Sequence, residues 1–234
     1  MSKSFQTNDT LGEIVLQFPQ AATLFKHYHL DFCCGGDRPL ADVAQSRNLD
    51  AEALLQEVNE KYEAAQAIGL DVKDWMAIPY EGLIQHIVGT YHTYLKQEFP
   101  MLAESVAKVH RVHGEHHGAV LSVVHEKFDE LRAGLEAHMQ EEENVVFPQI
   151  IAYENAPSEE KRAALQQLLI TLDREHEASG ALLAAIREVT QDYALPDDAC
   201  RTFAYVYRAL EELESNLFEH IHLENNVLFV RLSA

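Results

Sequence analysis

The sequence predicts an all-α protein, an antiparallel up-down bundle of four long helices preceded by a small helical domain. Three observations predict it. Apolar residues recur at helical spacing through four long stretches beginning near residue 79. The breaks between those stretches are short, which makes consecutive helices antiparallel neighbours. Nowhere does the chain show the apolar–polar alternation of a half-buried strand.

The N-terminal part reads as short helices. Thr10 is placed to cap LGEIVLQF, Pro19 opens QAATLFKHYHL, and Asp50 caps AEALLQEVNEKYEAAQ. Between the second and third lies the run Asp31-Phe32-Cys33-Cys34-Gly35-Gly36-Asp37. The segment GLDVKDWMAIPY is weakly periodic and ends in a proline, as suits a linker. A boundary near residue 72 therefore divides a small helical domain, 1–72, from a bundle, 73–234. The bundle's four stretches fall at about 79–112, 117–150, 158–191 and 197–232. His113-Gly114 interrupts the first pair, Asn155-Ala156-Pro157-Ser158 separates the second from the third with Ser158 as N-cap, and Leu195-Pro196-Asp197 precedes the fourth. Pro100 is expected to kink the first long helix without ending it, with a true break there as the alternative.

Composition narrows the function classes. Acidic residues outnumber basic ones 38 to 18, and the resulting formal charge of -20 repels a phosphate backbone, so no nucleic-acid partner is expected. No apolar run approaches the roughly 20 residues of a membrane helix, and the start MSKSFQTNDT has no apolar signal region; a soluble, cytoplasmic protein is expected. Two adjacent cysteines and a distant Cys200 do not make a disulfide framework, which fits a reducing compartment. The 13 histidines are the unusual feature, because imidazole is neither a strong helix former nor a favoured core group.

Residues four apart on a helix share a face, so His138 with Glu142 and His220 with Glu224 can each present an imidazole and a carboxylate to one point. A reversal at Gly114 sets His86, 28 residues before it, roughly level with His138, 24 residues after it. The same folding brings His176 and His220 to a similar depth, so each long helix supplies one histidine. His125 and His222 point to the opposite sides of their helices. His113 lies too far along a continuous first helix to join the set, and enters only if Pro100 breaks that helix. Four imidazoles and two carboxylates buried together are costly without a cation, at several kcal/mol per uncompensated charge. Mixed imidazole and carboxylate ligation without thiolate points to iron or manganese, and two bridging glutamates imply two metals about 3.5–4 Å apart. Glu141, Glu143 and Glu175 are read as solvated or as backing the ligands.

The order His86, His138-x-x-x-Glu142, His176, His220-x-x-x-Glu224, with EEENVVFP after the first pair and ENNVLF in the second, resembles the haemerythrin-like family over residues ~79–232. The leading segment LGEIVLQFPQAATLFKHYHLDFCCGGDRPLADVA is similar to the small two-cysteine domain of the repair-of-iron-centres proteins. That resemblance implies bacterial cytoplasmic proteins of the nitrosative and oxidative stress response. It implies a non-haem di-iron site of two carboxylate-bridged irons and help in restoring damaged iron–sulfur clusters as an iron donor. The expected partners are damaged iron–sulfur proteins or a cluster-assembly scaffold. Reduction of nitric oxide or dioxygen at the di-iron site, or gas sensing and carriage, stands as the alternative, and the chain is compatible with a monomer or a homodimer.

Cys33 and Cys34 carry two readings. Adjacent cysteines can be small buried hydrophobes. Their position between helices, before Gly35-Gly36, where a thiolate could be exposed and stabilised, also suits a thiol redox or iron-transfer role.

Overall fold

The computed structural model describes residues 4–69 and 73–233. The domain boundary expected near residue 72 thus lies outside the described residues. Among the described residues the structure is helical throughout; the one β-type pairing is an isolated bridge between Thr10 and Pro39. By internal contacts the chain divides into two units, one ending at Pro79 and taking in the chain from Phe218 onward, the other Tyr80–Leu217.

The first unit contains α1 (Leu11–Gln17), α2 (Ala21–His27), α3 (Leu40–Ser46) and α4 (Ala51–Ala67). Thr10 closes a capping box with Glu13, and the Asp50 carboxylate accepts from the backbone of Glu52 and Ala53. The α3 helix has no side-chain cap, and periodicity alone did not pick it out. Ile14, Phe18, Phe25, Phe32, Leu40 and Val58 form the buried core, with Phe218 packed against it.

The second unit begins with α5 (Tyr80–His86), a π-helical turn (Ile87–His92) and α6 (Thr93–Glu141). The helical path continues through Pro100, because a proline removes one hydrogen bond without forcing a chain reversal. The reversal lies at His117, whose φ of -121° and ψ of 17° leave the helix, three residues beyond the expected Gly114. Its two arms run antiparallel: His92 meets Glu143, Phe99 meets Phe128 and His110 meets Ser122 in descending order. A π-helical turn (Glu142–Val146) and α7 (Phe147–Asn155) come next. Then come α8 (Glu159–Val189), with the Ser158 hydroxyl as its cap, and α9 (Arg201–Leu223). In the buried layer between α8 and α9, the Glu214 carboxylate accepts from Arg187 Nε at 3.1 Å and from the Tyr193 hydroxyl at 2.9 Å. The chain ends with a third π-helical turn (Glu224–Leu228) and α10 (Phe229–Ser233).

Candidate metal centre

The three π-helical turns mark the places where carboxylates and imidazoles gather. His92 closes the first, while Glu142 and Glu224 open the second and third. Such turns insert a residue into the helical ladder, shift the phase of the residues beyond it, and recur at functional sites. The second and third arise from closely similar sequences, Glu142-Glu143-Asn144-Val145-Val146-Phe147 and Glu224-Asn225-Asn226-Val227-Leu228-Phe229.

Within the second unit, the His92 ring is buried and stacked on Phe147 at 5.9 Å. Its Nδ1 lies 2.7 Å from Glu143 Oε1. A carboxylate only accepts, so Nδ1–H is the donor and a neutral His92 presents a lone pair at Nε2. That Nε2 is 3.3 Å from Glu142 Oε2. His138 repeats the device: Nδ1 donates to Glu175 Oε2 at 2.7 Å, and Nε2 lies 3.3 Å from the same Glu142 Oε2 and 3.1 Å from His176 Nε2. Around Glu142 Oε2, acceptors therefore meet acceptors in a space nearly closed to water, while His176 Nε2–H can donate to His138. Only a cation or additional protons can make that arrangement favourable. Lys96 adds a second partner to Glu143, at 2.6 Å. Burial pushes the Glu143 carboxyl up, but the hydrogen bonds from Lys96 and His92 outweigh it and hold it below its ordinary range.

On the helix that closes the chain, His220 Nε2 lies 3.0 Å from Glu224 Oε1, and both side chains are fully buried. Two groups of donors have ligand atoms within 4.8 Å of one another: His92, Glu142, His220 and Glu224, and His138, Glu142, His176 and Glu224. All six side chains are 4 % exposed or less. The groups share both glutamates, and each adds two histidines. This donor set fits two cations of the iron or manganese class, bound by imidazole and carboxylate with no thiolate.

The structure thus brings together five of the six residues nominated from the sequence, His138, Glu142, His176, His220 and Glu224. His86 belongs to neither group. It is half-buried, with Thr90 Oγ1 3.3 Å from its Nδ1, and His92 stands where His86 was expected. Moving a reversal by three residues moves the facing register by six, which is the separation of His86 and His92. The π-helical turn between them then sets the face. His113 sits 3.2 Å from Cys200 Sγ and against the Phe203 ring, also outside the groups. His222 is buried but turned to the Phe32 ring at 5.9 Å; burial pushes its pKa down to about 4, against a backbone hydrogen bond at Phe32.

Residues 83–232 match the haemerythrin HHE cation-binding domain, and residues 7–62 match a domain of unknown function (DUF542). The iron–sulfur cluster repair protein ScdA of Staphylococcus haemolyticus is 35% identical over 228 residues, covering 97% of this chain and 99% of that protein. This chain belongs to the haemerythrin-like iron–sulfur cluster repair family. Iron–sulfur cluster repair proteins YtfE of Salmonella paratyphi B and of Salmonella newport are each 34% identical over 233 residues, covering 96% of both chains. The family's cation-binding segment contains all six buried donors as well as His86.

Cys33, Cys34 and Cys200 are free thiols. The exposed thiolate expected at the pair does not describe Cys33, which is 2 % exposed and whose thiol is pushed well up by burial and by hydrogen bonding with Cys34 and Asp31. Cys34 is half-buried.

Proposed function

We propose that His92, His138, Glu142, His176, His220 and Glu224 hold two iron ions, and that the chain supports repair of damaged iron–sulfur clusters as a source of iron. The observation that carries this reading is the sharing of two buried glutamates between two groups of buried imidazoles. When bound, the pair of irons would supply a labile, redox-active metal store. The chain's own residues do the rest. Glu143 and Glu175 accept hydrogen bonds from the Nδ1–H groups of His92 and His138, which fixes the tautomers and aims both Nε2 lone pairs inward. The burial of all six donors keeps bulk water out of the site. The free thiols and the likeness to iron–sulfur cluster repair proteins support work in the cytoplasm on damaged iron–sulfur proteins or their assembly scaffold.

Metal analysis with Mössbauer spectroscopy tests the centre: two irons per chain in a bridged pair are expected, and zinc or a single iron overturns it. Incubation of the iron-loaded chain with a cluster-damaged dehydratase tests the role. Recovery should exceed that given by the same amount of free ferrous iron, and recovery no better than free iron rejects the donor reading.

A further inference from the structure

Outside the candidate di-iron centre, one other cluster gathers metal-ligating side chains among the described residues. The atoms of Asp31, Cys33 and Cys34 that could bind a metal lie within 4.8 Å of one another. The two sulfurs are 3.9 Å apart, far beyond the roughly 2.05 Å of a disulfide. Two thiolates on one tetrahedral ion, each at about 2.3 Å, stand about 3.8 Å apart. The observed spacing therefore suits a shared cation and leaves the sulfurs unbonded to each other. Asp31 Oδ1 lies 3.1 Å from Cys33 Sγ and accepts the backbone N–H groups of Cys33 and Cys34, both at 3.0 Å. One carboxylate thus shapes the turn and faces the thiols.

The loop is also held from behind. Asn226 Nδ2 donates to the carbonyls of Cys33 at 2.9 Å and Phe32 at 3.3 Å. A Cβ on Gly36 would meet both Asn226 Oδ1 and the Phe32 carbonyl at 2.5 Å, so the second glycine of Cys-Cys-Gly-Gly is needed for the chain to close behind the thiols. The buried Cys33 is backed by protein while Asp31 is exposed and Cys34 half-exposed, which gives the cluster an open side for an ion to enter and leave.

We propose that Asp31, Cys33 and Cys34 form a second metal site, taking one divalent thiophilic cation through two thiolates and one carboxylate. Binding is a simple exchange: the ion enters, two thiol protons leave, and no electron is transferred. Because two thiol protons leave on binding, the site is pH-dependent, tighter as pH rises. Its use as a way-station for iron rests on the repair reading above; the binding itself does not.

The test uses the full-length, iron-loaded chain titrated anaerobically with cobalt(II), whose thiolate charge-transfer band reports sulfur ligation only. The band should saturate at one equivalent with release of two protons, and vanish in Cys33→Ser and in Cys34→Ser. Asp31→Asn keeps an amide oxygen to accept the turn's backbone hydrogen bonds, so it preserves the loop while weakening cobalt binding by about tenfold or more. Absence of the band, its survival in either serine variant, or unchanged affinity in Asp31→Asn overturns the site. Failed cluster rescue with the cobalt band intact rejects iron donation and leaves this site standing; the converse rejects this site alone.

Discussion

Glu142→Gln separates metal binding from folding. Glu142 Oε2 faces the Nε2 atoms of His92 and His138, each 3.3 Å away, and both rings donate their Nδ1–H groups to Glu143 and Glu175. Glutamine is isosteric and can place an amide N–H towards His92 Nε2, while His138 Nε2 keeps its partner in His176. One new buried hydrogen bond at about 1 kcal/mol, without a buried charge, stabilises the chelated protein by about 1 kcal/mol. For a chain of this size that raises Tm by roughly 2–4 °C. Glu142 belongs to both donor groups, so the same variant should lose both irons. The assay is thermal unfolding of chelated wild type and chelated variant side by side, with iron content after reconstitution. A chelated variant that melts at or below chelated wild type would refute the reasoning. It would mean that His92 and His138 are imidazolium ions and that protons, not a cation, balance Glu142.

Three further outcomes are expected. His92→Ala should cut bound iron from two to about one per chain, since the group of His138, Glu142, His176 and Glu224 does not use it, whereas His86→Ala should leave iron content unchanged; elemental analysis decides between them. Glu175→Gln leaves His138 in place but removes the charge that orients it, so iron affinity should fall about 10–100-fold in a chelator competition, with the fold unchanged by circular dichroism. Burial pushes the Tyr207 phenol up to about 12, and burial with the hydrogen bond to Glu98 does the same for Tyr205. A raised folded pKa gives a contribution fully present below the unfolded value near pH 10 and lost as pH rises towards 12. Phenolate absorbance should therefore show these two ionising late, and denaturant midpoints should fall across that window; normal titration of both would contradict the packing around α9.

Much of the fold and most of the site were legible in the residues themselves. Thr10, Asp50 and Ser158 start helices because their side chains satisfy the backbone N–H groups that a helix leaves open, a local effect that needs no partner. The i,i+4 pairs His138/Glu142 and His220/Glu224 are equally local, and all four residues lie in the buried donor groups. His86 falls outside both donor groups, and the cause is specific. A count of residues across a reversal is only as good as the position of the reversal, and nothing local marks His117 over Gly114.

The sequence by itself determined an all-α chain, a bundle of long antiparallel helices, and buried imidazole and carboxylate at one depth, because periodicity, caps and i,i+4 spacing are properties of a single helix. Only the tertiary structure decided that His92 and not His86 stands among the buried donors, that Glu143 and Glu175 face the rings of His92 and His138, and that Asp31 lies beside the two thiols. Those facts depend on helical phase after a π-helical turn and on the register between separate segments. Register is fixed by packing over the whole interface, and a π-helical turn is stabilised by the groups its shifted side chains meet, so neither can be read from one segment alone.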